Sequence, residues 1–115
     1  MSTAVRKQPD LMQNHLLAAL PAEARARLFP HMKLVALPLG KVLYESGSAL
    51  HNVYFPTDSI VSLLYVMENG ASAEISVVGN EGVIGIAVFM GGESTPSRAL
   101  VQSAGSAFAL PAHRL

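Results

Sequence analysis

Cysteine is absent from this chain of 115 residues. That absence removes disulfides, thiolate metal sites, a cysteine-ligated iron–sulfur cluster and a catalytic thiol. Charge is scarce, at 14% of residues, and eight basic residues balance eight acidic ones. A neutral total leaves no electrostatic footprint for nucleic acid, whose affinity depends on neutralising phosphates with lysine and arginine. Direct DNA binding by this chain is therefore not expected. No apolar run approaches the roughly 20 residues needed to cross a bilayer. The opening "MSTAVRKQPD" also lacks the apolar stretch of a secretory signal. The expectation is a cytoplasmic protein with no membrane partner.

What is present is apolar. Half of the residues are hydrophobic, which suits one domain with one core. Met1 to Gln13 reads as a flexible leader. Asn14 offers an N-cap to a short helix with Leu16, Leu17 and Leu20 on one side. Pro21 suits the first turn of a second helix. In that helix Ala24, Leu28 and Phe29 face inward, Glu23, Arg25 and Arg27 face water, and Pro30 ends it.

From Lys33 onward the pattern changes to short apolar runs between turn residues. "KLVAL" stops at Pro38, "KVLYE" follows, and "HNVYF" stops at Pro56. "SIVSLLYVM" and "SAEISVV" flank Asn69-Gly70, a hairpin signal because both residues tolerate positive φ. In the second arm Ala73, Ile75 and Val77 alternate with polar residues, as a half-buried strand requires. "SRALVQ" and "SAFALP" are expected to pair around Ser103-Ala104-Gly105. Closely spaced short strands without helical segments between them predict an antiparallel sandwich or roll.

Catalytic motifs are missing. The four histidines, His15, His31, His51 and His113, form no H-x-H or H-x-x-x-H pair. A cupin-like metal enzyme on this fold would need histidines closely spaced on one strand. No serine lies in G-x-S-x-G or S-x-x-K. The reading is not an enzyme. One stretch keeps a binding possibility open: Gly79, Gly82 and Gly85 allow close backbone approach, a short turn around Ile86 to Phe89 could aim amides at an anion, and Arg98 could complete a phosphate cradle. The alternative leaves the glycines as turn punctuation and Arg98 in solvent.

The segments "LPLGKVLYESGS", "HNVYFPTDSIVSLL", "GNEGVIGIAVFMGG" and "PSRALVQSAGSAFALP" together resemble the N-terminal, cyclic nucleotide-binding-like sensor domain of the Crp/Fnr superfamily of transcription regulators. The resemblance runs from Asn14 to Leu115. It implies a mainly β fold, an eight-stranded antiparallel β-roll (jelly roll, double-stranded β-helix) behind short N-terminal helices. It also implies an effector-binding cassette at Gly85, Ile86, Ala87, Ser97, Arg98 and Ala99. In members that bind cyclic AMP, a Gly-Glu pair holds the ribose, and Arg followed by a small hydroxyl residue and Ala grips the phosphate. Here Gly85 and Ala99 match, but Ile86 stands where the carboxylate belongs. Ser97 stands where the arginine belongs, and Arg98 falls one residue late. A one-residue displacement along a strand reverses the face, so Arg98 is expected to point away from the pocket and cyclic AMP to bind poorly.

No cofactor is fixed by these residues. The expected partners are a small-molecule effector and, only through a helix-turn-helix domain not found in this chain, DNA. Without the family's dimerisation helix the chain is expected to be a monomer or a weak homodimer. A structural or protein-interaction β-roll without a small ligand is the alternative.

Overall fold

A computed structural model describes residues 10–45, 51–85, 97–111 and 114. Asp10 starts the chain with a capping box: its side chain accepts from the Met12 amide, while Gln13 Oε1 accepts from the Asp10 amide at 2.6 Å. Leu11, inside the stretch expected to be loose, packs against the helical cluster. Helix α1 covers His15–Ala18 and α2 covers Ala22–Leu28, which a 3-10 turn extends through Pro30 to His31.

Asn14 caps α1 as its position suggests, with Oδ1 accepting from the Leu16 and Leu17 amides. It is also wholly buried, and its Nδ2 donates to the carbonyls of Pro56 and Gly82. One side chain thus ties the helix to a strand end and to the turn before Ile84. Two helical expectations are corrected. Leu16 stays exposed, because α1 is one turn long and only Leu17 and Leu20 reach the sheet. Arg25 is half-buried rather than in water, because its Nη2 donates to the Ala18 carbonyl left open at the end of α1, at 2.7 Å.

Among the described residues seven strands follow: β1 (Lys33–Leu37), β2 (Val42–Tyr44), β3 (Asn52–Pro56), β4 (Ile60–Val66), β5 (Ser72–Val78), β6 (Ser97–Ser103) and β7 (Gly105–Pro111). They form a three-stranded sheet in the order β1-β7-β3 and a four-stranded sheet in the order β2-β6-β4-β5, with antiparallel pairing throughout. A bridge between Tyr54 and Ile84 extends the first sheet at β3. The strand pattern allows a sandwich or a roll, and the fold is the antiparallel β-roll that the resemblance implies.

The sheets face each other over a core of Leu37, Tyr44, Val61, Ile84, Ala99, Val101 and Ala107. The helices cover the other side of the three-stranded sheet, where Leu17 and Leu28 meet Val53, Phe55 and Leu110. At roughly 25 cal/mol per Å2 of apolar surface removed from water, such side chains supply most of the driving force.

β6 and β7 do not pair with each other, contrary to the sequence expectation. The chain crosses from one sheet to the other at Ser103-Ala104-Gly105, so the two strands lie in different sheets. This corner packs on a second one at Asp58-Ser59. The Ser106 amide donates to Asp58 Oδ1 at 2.7 Å, and the Ser106 carbonyl accepts from the Thr57 amide and the Ser59 hydroxyl. A Cβ on Gly105 would lie 2.6 Å from Asp58 Oδ1 and 2.7 Å from the Ser59 nitrogen. Glycine is needed there for space.

The β4–β5 hairpin forms where Asn69-Gly70 places it, but by a different turn. Gly70 alone has positive φ, at 86°, and Asn69 instead accepts the Ala71 amide on its side chain. Met67 accepts the Gly70 amide and donates to the Ala71 carbonyl, which is a turn closed by one left-handed residue. β5 is not the half-buried strand expected. Ile75 is 59% and Val77 49% exposed, because β5 is the edge strand and among the described residues nothing covers it.

Candidate functional site: the inner face of β6

β6 runs between β2 and β4, with Ser97 opposite Tyr65, Arg98 opposite Leu64, and Ala99 opposite both Leu63 and Tyr44. Alternation along the strand sorts its side chains. Ser97, Ala99 and Val101 are buried on the side of the roll interior. Arg98, Leu100 and Gln102 take the other face, in keeping with the two-residue period.

Arg98 Nε donates to Glu45 Oε1 at 2.8 Å, with 37% and 53% of the two side chains exposed. An ion pair this open to solvent contributes about 0–1 kcal/mol, so the strand alternation, more than the pair, sets the guanidinium on the outside. Inside, Ser97 lies beside Tyr44. Burial pushes the Tyr44 phenol above its ordinary pKa, and a side-chain hydrogen bond with Ser97 works in the opposite sense. The interior end of β6 therefore presents a hydroxyl, a neutral phenol and apolar groups and, among the described residues, no cation.

Gly85 follows buried Ile84 and has φ 99°. Ile84 shares the core cluster with Tyr44 and Ala99, which brings the Gly85 region and the start of β6 to one part of the roll. Ile86, Ala87 and the turn expected through Phe89 lie outside the described residues. Gly79 and Gly82 lie in one turn. Their turn closes through the Gly82 amide and the Gly79 carbonyl and docks on the helices, where the Asn80 carbonyl accepts from the His15 amide.

Tyr44 and Glu45 were not singled out in the sequence. Tyr44 carried a faint signal, as the large aromatic ending an apolar run before a turn. Glu45 carried none, since 53 residues separate it from Arg98. Among the described residues no three histidine, aspartate or glutamate side chains gather as a metal site, and no helix is long and apolar enough to cross a membrane.

No family model and no curated protein matches the chain. Solved structures do. The N-terminal domain of a transcriptional regulator from Streptomyces coelicolor A3(2) superposes with a TM-score of 0.72 at 28% identity, over 92% of this chain and 76% of that one. The sensor domain of the transcriptional regulator DNR from Pseudomonas aeruginosa gives 0.74 at 19% identity, over 90% and 71%. A regulatory subunit of a cAMP-independent protein kinase A from Trypanosoma brucei, a variant bound to cAMP, gives 0.78 at 13% identity, over 89% of this chain. The chain has the cyclic nucleotide-binding-like fold. It is the architecture implied by the resemblance to the Crp/Fnr sensor half, and two of these three neighbours are domains of transcriptional regulators. The domain spans 38% of the length of the trypanosome subunit.

Proposed function

We propose that this domain is the sensor of a Crp/Fnr-type transcription regulator and that its cassette does not grip cyclic AMP. The observation that carries the proposal is the placement of Ser97 inward and Arg98 outward against Glu45. A cyclic phosphate between Gly85 and β6 would meet a hydroxyl in place of a guanidinium. Losing one charge-assisted hydrogen bond forfeits about 1.5–3 kcal/mol, and Ile86 offers the ribose no acceptor. Together these losses weaken binding by roughly two to four powers of ten. The domain works as a binding module without catalysis. Its signal would bias the packing of a dimerisation helix and so the DNA readers attached to it.

The test is thermal unfolding with millimolar cyclic AMP, cyclic GMP and cyclic di-GMP. The unaltered chain is expected to show no shift. The variant Ile86→Glu, Ser97→Arg, Arg98→Ser restores the family pattern and is expected to gain a shift of several degrees with cyclic AMP, since ligand at about 100 times Kd adds roughly 2.7 kcal/mol. A shift in the unaltered chain that Arg98→Ala abolishes would overturn the proposal.

A second reading has its own observation. The exposed apolar edge strand β5, with Ile75 and Val77 outermost, suits a domain that acts by contacting another protein surface.

A further inference from the structure

The three-stranded sheet carries a feature that the cassette does not use. On its inner face β7 contributes only Ala107, Ala109 and Pro111, between longer side chains of β1 and β3. Register sets Lys33, Ala109 and Tyr54 in one row across the sheet, with Asn52 opposite Pro111 in the next. A methyl group between a lysine and a tyrosine leaves a trough along β7. Its cavity is about 390 Å3, and Lys33, Lys41 and His31 stand around an apolar floor that includes Val35 and Leu37. That volume lies within the range of small-molecule pockets.

The charge around the trough is of one sign. Among the described residues none that lines it is acidic, although the chain has as many acids as bases. Several of the described acids are committed elsewhere: Glu45 to Arg98, Glu74 to Ser62, Asp58 to the Ser106 amide and Glu81 to the Gly79 amide. Among the described residues neither Lys33 nor Lys41 has an ion-pair partner. Two ammonium groups over an apolar floor, with a phenol and a carboxamide at one side, complement a group that is anionic at one end and apolar at the other.

We infer that this trough binds a small organic oxyanion with an apolar ring, a carboxylate or a phosphate monoester, at a site separate from the inner face of β6. The site does not depend on how the cassette is read. Ligand here would bridge β1, β7 and β3, and so engage the sheet opposite the one that holds Ser97 and Arg98.

The test is an amide chemical-shift titration of the whole chain with phenyl phosphate and with benzoate, with benzyl alcohol as the neutral counterpart. Expected is saturable movement of the amides of Lys33, Asn52, Tyr54 and Ala109 by at least one of the two anions, with a dissociation constant around a millimolar or below. Whichever anion binds more tightly identifies the preferred head group. Replacing both lysines (Lys33→Gln with Lys41→Gln) should weaken binding about tenfold or more, and benzyl alcohol should bind no better than that variant binds the anions. Ala109→Leu fills the trough and should abolish binding while both lysines remain. Should that buried substitution unfold the chain, the exposed lysine pair still decides. No movement at these amides up to about 10 mM, or an affinity unchanged by loss of both lysines, overturns the site. Cyclic nucleotide binding is read separately, at Ser97 and Arg98.

Discussion

β5 and β7 are both seven-residue strands of small and apolar residues, apart from Glu74 in β5, and they meet opposite fates. β7, Gly105–Pro111, is the middle strand of its sheet, with helices beyond one face and the roll interior on the other, and it buries Ala107 through Leu110. β5, Ser72–Val78, is an edge strand with every residue but Val78 exposed. Burial here follows rank in the sheet more than hydrophobicity, since Ile75 and Val77 are as apolar as Leu110. The two strands also differ in what they can offer. β7 is paired on both sides, whereas among the described residues β5 is paired along one side only and leaves an open edge.

Three substitutions test this contrast. Leu110→Ala removes a fully buried side chain from the cluster under the helices and is expected to cost about 2–5 kcal/mol in chemical denaturation. A cost below about 1 kcal/mol would mean that the helices do not seal that face. Gly105→Ala at the start of β7 drives a Cβ into the Asp58-Ser59 corner, with an expected cost of about 1–3 kcal/mol. Because Gly105 lacks positive φ, a neutral result would place the corners further apart. The smallest effect belongs to the edge: Ile75→Thr on β5 is expected to change stability by no more than about 0.5 kcal/mol. A larger loss would show that this strand is covered in solution and would favour the protein-contact reading.

The strand pattern located β1, β2, β3, β4 and the hairpin to within a residue or two, because hydrophobic runs and turn residues act locally. Asn14 was legible as a cap for the same reason. Its second role was not, since the Pro56 and Gly82 carbonyls that it satisfies lie 42 and 68 residues away. The expected pairing of β6 with β7 failed at a similar point. A short Ser-Ala-Gly link closes a hairpin or turns a corner between sheets with equal ease, and the choice rests with β1, β3 and the Asp58 corner. The candidate site divides in the same way. The two-residue period alone separated Ser97 from Arg98, whereas Glu45, which pairs with Arg98, gave no signal at all. The trough beneath Lys33 was equally silent, because it consists of the register of three distant segments.

By itself, the sequence determined an antiparallel sandwich or roll, the placement of its turns and the absence of a cysteine-based centre. The first two follow from nearest-neighbour preferences and from the period of side chains along a strand, the third from composition. Only the tertiary structure decided which sheet each strand joins and, among the described residues, which apolar strand stays bare and which lysines stand without ion-pair partners. Those outcomes depend on contacts between segments far apart in the chain, where loop closure and packing, and not local propensity, select the arrangement.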